Sequence, residues 1–303
     1  MNILNKLIVS TLPAVPKPII RKFADRYIAG EELSDAVRVV KDLNAHGIMA
    51  TLDVLGEDIS RKEEAVAARD KILDVLRAIQ KESLDANVSI KLTQLGLKLD
   101  KHFCLENVRQ IVTTAKNQKN FVRIDMEDSS VTSDTIWVYR EIRKQFDNSG
   151  IVLQAYLRRT EHDAMELIDA GLTNFRLCKG IYIEPEEIAF KAHDEINRNY
   201  IQVLWKMWER KAYLGIATHD DELVAAAYRM IGEFHLQKSQ YEFQMLLGVR
   251  PDLRERITRD GHRLRIYVPF GKQWYQYSIR RFKENPQVAG YVVKALFHKF
   301  RFN

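Results

Sequence analysis

The chain is poor in cysteine. Its 303 residues include two, Cys104 and Cys178, far apart and without metal-ligand spacing, so neither a disulfide framework nor a zinc site is indicated. A reducing, cytoplasmic setting is expected. Long apolar runs are also missing, and no stretch reaches the length of a membrane span. The apolar N-terminal segment "MNILNKLIVSTLPAVPKPII" is broken by Pro13, Pro16 and Pro18. It lacks an A-x-A-like cleavage site, so a secretory signal is not expected. There is no Lys/Arg block and no nucleic-acid-binding motif, so the net charge of +6 is too diffuse to imply nucleic acid. It suits an anionic ligand or an anionic membrane surface. No acidic residue precedes Asp25, which leaves an interfacial segment open beside a plain leader helix. Low-complexity stretches, long linkers and close repeats are absent, and the composition, 46% hydrophobic, is read as one domain.

What is present is a rhythm. Eight short apolar segments recur: "IMATLDVLG" (48–56), "VSIKLTQLG" (88–96), "FVRIDMED" (121–128), "IVLQAYL" (151–157), "FRLCKGIY" (175–182), "LGIATHD" (214–220), "YEFQML" (241–246) and "LRIYVPF" (264–270). Each of the first seven is followed by a helical pattern. The first such helix is expected to open on a capping box of Ser60 and Glu63 and carries Ala65, Ala68, Ile72, Leu76 and Ile79 at helical spacing. Another opens at Thr160 and stops at Gly171. Strand starts spaced by the length of a βαβ unit predict a (β/α)8 TIM-like barrel over 47–303. Residues 1–46 are read as an N-terminal helical extension, and a final helix is expected over the barrel mouth. An open doubly wound sheet is the alternative, and it should show a Gly-rich first turn, whereas no G-x-G-x-x-G occurs.

Alternation within the strands separates two faces. Ile90, Leu92, Val122, Ile124, Ile151, Leu153, Leu264 and Ile266 suit packing under helices. The opposite face carries Thr51, Asp53, Ser89, Lys91, Thr93, Arg123, Asp125, Glu127, Val152, Gln154, Tyr156, Arg176, Cys178, Ala217, His219, Glu242, Gln244, Arg265 and Tyr267. Barrel interiors are normally filled by branched aliphatics. So many polar groups inside require mutual ion pairs, a polar ligand, or both. Arg123 with Asp53 or Glu127 is the expected structural network. Lys91, Asp125, Gln154, Arg176, His219 and Tyr267 lie toward the strand C-termini, where barrel enzymes keep their active sites.

Near the end, "WYQYSIRRFKEN" (274–285) sets Tyr275, Ile279 and Phe282 on an apolar stripe, with Arg280 and Arg281 on another side. Arg280 and Glu284 have ion-pair spacing. The stretch reads either as a solvated charged face or as a fork of guanidinium donors for a carboxylate or phosphate.

Taken in order, "SIKLTQLGL", "VRIDMED", "VLQAYL", "RLCKGIY", "ATHD", "YEFQMLLGVRP", "YVPFGKQWY" and "RRFKENP" resemble the proline dehydrogenase family, most of all its short monofunctional bacterial members. The resemblance runs from about Tyr27 to Pro286. It implies a distorted (β/α)8 barrel that binds FAD and oxidises L-proline to Δ1-pyrroline-5-carboxylate, the first step of proline catabolism. It also implies electron transfer to a membrane quinone. Carried over by position, Lys91, Arg280 and Arg281 match ligands for the proline carboxylate, and Tyr267 matches the aromatic wall against the ring. Asp125 and Arg176 match active-site groups. Met126, Gln154, Lys179, Gly180, Ile181, Thr218 and His219 match flavin-contacting stretches, and no metal is implied. In two places the chain departs: Ile181 replaces a common alanine, and Asp220 replaces a common asparagine.

These residue types suit hydride transfer, which needs a close, aligned approach. A cationic clamp on the carboxylate fixes that pose. Arg176 can stabilise negative charge on the reduced flavin, while Asp125 balances the cations around it. With the basic end "VVKALFHKFRFN", the sequence also suggests peripheral attachment to the inner face of the membrane. The competing readings are a Schiff-base, class I aldolase-like barrel using Lys91 or Lys179 and a binding barrel without catalysis.

Overall fold

The computed structural model describes residues 20–21, 24–56, 59–275 and 277–279. Within them, eight parallel strands close into a barrel in chain order: β1 (Met49–Val54), β2 (Ala86–Ile90), β3 (Val122–Ile124), β4 (Ser149–Gln154), β5 (Asn174–Cys178), β6 (Tyr213–Ala217), β7 (Tyr241–Leu246) and β8 (Leu264–Phe270). Pairing of Ala50 with Ile266 and of Val54 with Phe270 closes the circle between β1 and β8. Helix α1 (Leu33–Ala45) precedes β1 and packs on β1 and β8. Helices α2 (Lys62–Lys81), α3 (Lys101–Asn117), α4 (Thr132–Arg143), α5 (Thr160–Asp169), α6 (His193–Glu209), α7 (Asp221–Glu233) and α8 (Pro251–Arg259) follow β1 to β7 in turn. This is the expected (β/α)8 architecture.

Helix α2 starts one residue later than the expected capping box requires. Glu64, not Glu63, reaches back, accepting from the backbone N–H of Ser60 at 2.8 Å and of Arg61 at 3.1 Å. Helix α5 begins at Thr160 as expected. It is closed by Gly171 in the left-handed region, at φ +77°. The second strand is shorter than its apolar run suggests. It stops at Ile90, and Thr93–Leu95 form a single 3-10 turn, so Thr93 leaves the strand.

The two faces sort as the alternation predicts. Ile90, Val122, Ile124, Ile151, Leu153, Leu264 and Ile266 are buried in the main apolar core between strands and helices. The polar set fills the interior and is partnered there. Arg265 Nε donates to Glu242 at 2.7 Å, and Gln244 donates to the same carboxylate at 2.6 Å. Burial alone would raise the Glu242 carboxyl, yet Arg265 and the other donors hold it below its usual range. The expected pairing of Arg123 is corrected. Its guanidinium donates to Asn174 Oδ1 at 2.7 Å and to the Asn174 and Ile151 carbonyls, reaching neither Asp53 nor Glu127. Burial and the nearby positive Arg176 lower its pKa to about 10. A Cβ on Gly150 would sit 2.4 Å from Arg123 Nη1, so glycine in β4 makes room for this buried cation.

Beyond β8 the chain turns helical at Trp274. Tyr277 packs with Ala24, Ile28 and Leu55, and Trp274 packs against that cluster. Arg280 and Arg281 lie outside the described residues. No helix among the described residues is long and apolar enough to cross a membrane.

Candidate active site

The C-terminal ends of the strands open on a cavity of about 680 Å3, a usual volume for a small-molecule or cofactor site. Lys91, Asp125, Gln154, Arg176, His219 and Tyr267 all line it. So do Met126, Lys179, Gly180, Ile181 and Thr218. The structure thus brings together every described residue that the sequence assigned to a site. Asp53, expected in the Arg123 network, lines it as well, and Val152, Leu246 and Tyr277 complete the wall without a role expected from the sequence.

The charged centre is built from neighbouring strands. In the β1–β2 register Asp53 stands beside Ser89, and Lys91 follows two residues on, pointing the same way. Its Nζ lies 2.8 and 2.9 Å from the two Asp53 oxygens, and 3.5 Å from Asp125 Oδ2. Burial works against the ammonium. The carboxylates outweigh it and hold the Lys91 pKa well above the usual value. Asp125, just beyond β3, accepts from Arg176 Nη2 at 2.6 Å and from the Tyr267 hydroxyl at 2.8 Å, with Ser89 Oγ as a further donor. Burial would raise this carboxyl, but Arg176 and Lys91 hold it below the ordinary carboxylate range.

Tyr267 sits between these charges. Its hydroxyl accepts from Lys91 at 3.2 Å, and the Arg176 guanidinium carbon lies 5.3 Å from its ring centre. Burial and the two carboxylates push its phenol well above ordinary tyrosine, so it remains a donor to Asp125 throughout the physiological range. Asp53, Lys91, Tyr267, Asp125 and Arg176 therefore form one continuous network, two carboxylates against two cations, at the cavity wall.

The other side of the cavity is built from loops. Gln154 Nε2 donates to the Glu127 carbonyl at 2.8 Å. Glu127 itself accepts from the Thr93 N–H at 3.0 Å and from its hydroxyl. Burial raises the Glu127 carboxyl. His219 Nε2 accepts from the Leu246 N–H at 2.9 Å, so the proton of the neutral ring lies on Nδ1. After β5 the chain turns through Gly180 at φ +108°, where a Cβ would come 2.1 Å from the Tyr156 ring. Only glycine permits that approach, and it sets Lys179 and Ile181 on the cavity wall. Ile181 is 41% exposed, an apolar side chain at the rim. Lys179 Nζ is held at 2.6 Å from Asp220.

The family model described as "Proline dehydrogenase" matches residues 36–294. The chain belongs to the proline dehydrogenase family. It is 36% identical over 276 residues to proline dehydrogenase 1 of Bacillus subtilis (strain 168), covering 91% of each chain. With the proline dehydrogenase of Deinococcus radiodurans it shares 33% over 278 residues, 90% of this chain and 89% of that one. Among solved structures it resembles proline utilization A from Bdellovibrio bacteriovorus inactivated by N-propargylglycine. There the TM-score is 0.82 at 26% identity, over 88% of this chain and 33% of that longer chain. Membership in the proline dehydrogenase family makes this barrel an oxidoreductase acting on proline.

Proposed function

We propose that the cavity binds FAD without a covalent link and that the protein oxidises L-proline to Δ1-pyrroline-5-carboxylate, with a membrane quinone as the electron acceptor. The observation that carries this reading is the buried network of Lys91, Tyr267, Asp125 and Arg176 on one wall of a cavity large enough for a cofactor beside a small acid. The residues present fit a flavin. Among the described residues there is no cluster of His, Cys, Asp and Glu that could hold a metal. Instead the lining offers an amide at Gln154, a hydroxyl at Thr218, cations at Arg176 and Lys179, and apolar surface at Met126 and Ile181. This donor set suits a planar, hydrogen-bonding ring system that carries anionic groups.

When bound, the flavin supplies the hydride acceptor for the proline ring carbon beside nitrogen. The chain's own residues hold and orient. Lys91 would take the proline carboxylate together with Arg280 and Arg281. The Tyr267 ring would pack against the pyrrolidine. Asp125 keeps Arg176 and Tyr267 in place and balances the surrounding cations. Arg176, a fixed positive charge, would favour negative charge on the reduced cofactor without giving up a proton. Met126, Gln154, Lys179, Gly180, Ile181, Thr218 and His219 would hold the cofactor.

The Schiff-base alternative requires a neutral lysine. Lys91 is instead locked as an ammonium between carboxylates, which counts against it. A cytoplasmic protein resting peripherally on the inner face of the membrane would meet its quinone there. Flotation with anionic and neutral liposomes across a salt series tests that attachment, which should weaken as salt rises. The activity is tested by supplying L-proline and an acceptor and trapping the cyclic imine product with an ortho-amino aromatic aldehyde. A proline-dependent adduct supports the reading, and its absence from a flavin-loaded protein refutes it.

A further inference from the structure

Lys179, Asp220 and His193 form a compact cluster at the cavity wall, away from the Lys91–Asp125 centre. Asp220 Oδ2 accepts from Lys179 Nζ at 2.6 Å, lies 3.0 Å from His193 Nε2 and accepts from Asn197 at 3.3 Å. His193 Nε2 is also 3.2 Å from Lys179 Nζ. The other Asp220 oxygen accepts from the Glu222 N–H at 2.9 Å and caps α7. Lys179 and Asp220 both line the cavity, with side chains 28% and 19% exposed. Their mutual field is therefore less screened than that of a surface pair.

We propose that Asp220 is a positioning residue that neutralises Lys179 at the cavity wall and thereby weakens the hold on the cofactor's phosphates. The inference rests on the reading that this cavity takes FAD, and it concerns a residue to which that reading gives no role. A lone Lys179 would present a full positive charge to a pyrophosphate. Paired with Asp220 it presents a neutral couple, and the carboxylate repels the incoming anion. Where an asparagine stands, the cap on α7 survives, because asparagine caps helices as well as aspartate does. The charge does not.

The test measures release of bound flavin by fluorescence when the full chain is diluted, at low salt. Asp220→Asn should lower the Kd for FAD by about three- to tenfold and leave riboflavin, which has no phosphate, unchanged. Lys179→Met, which leaves the Asp220 carboxylate without its cation, should instead weaken FAD binding and leave riboflavin unchanged. Unchanged or weaker FAD binding in Asp220→Asn, or equal tightening of riboflavin, would overturn the proposal. A wild-type chain that binds no FAD at all would instead refute the flavin reading, so the two failures are separable.

Discussion

Lys91 and Asp53 meet across the first two strands with both carboxylate oxygens within 2.9 Å of the ammonium. Neither side chain is more than 9% exposed. A buried pair of this kind is worth little against an apolar replacement but much against loss of one partner. Asp53→Asn should therefore destabilise the fold by about 3 kcal/mol, the lower end of the range for breaking a buried pair, because Asp125 remains 3.5 Å away as a second anion. Chemical denaturation of both proteins checks this. A difference below about 0.5 kcal/mol, the scale of ordinary surface substitutions, would mean that Lys91 finds another partner.

Tyr267→Phe keeps the ring but removes the hydroxyl that donates to Asp125 and accepts from Lys91. The loss of one charge-assisted hydrogen bond, about 1.5–3 kcal/mol, should appear as a roughly ten- to hundredfold fall in kcat/KM for proline. Steady-state kinetics at fixed acceptor measure it. Normal flavin content in the variant would assign the loss to the substrate side of the cavity.

Stability should form a plateau bounded by the same cluster. The Asp125 pKa is depressed in the fold, so its contribution is present above the unfolded value of about 3.9 and is lost as pH falls through the lower folded value. The Lys91 pKa is raised. Its contribution is complete below the unfolded value of about 10.4 and is lost as pH rises through the higher folded value. Urea unfolding between these limits should vary little on account of this pair of groups, and Asp125→Asn should flatten the acid limb. A wild-type acid limb reproduced unchanged in that variant would place the sensitivity elsewhere.

The sequence carried much of this because a strand's period is two. Lys91, Asp125, Arg176 and Tyr267 share a face by counting alone, and one face of a closed barrel must be the inside. Who pairs with whom depends on register, which counting does not supply. The β1–β2 register sends Asp53 to Lys91, while Arg123 finds Asn174, a neutral amide that no charge pattern announces. The end of β2 was hidden for a similar reason. Leu92 and Leu95 remain fully buried after the chain has left the strand, so the apolar run continues through a 3-10 turn. The Arg280 and Arg281 reading lies outside the described residues and stands on the resemblance.

That pair carries its own prediction. If Arg281 donates to the substrate carboxylate, Arg281→Lys keeps the charge but loses the fork. A fall of roughly ten- to hundredfold in kcat/KM is expected, mainly through KM, with flavin content unchanged. Carboxylate inhibitors such as tetrahydro-2-furoate should weaken in parallel. Unchanged kinetics and inhibitor affinity would leave the arginine pair without a part in substrate binding.

The central claim, a flavin reduced by proline in this cavity, is tested most directly by the visible spectrum of the purified protein before and after L-proline is added without oxygen. The account predicts a yellow protein whose flavin absorption bleaches with proline and returns with a quinone. A colourless protein, or a yellow one whose spectrum proline leaves unchanged, would contradict it.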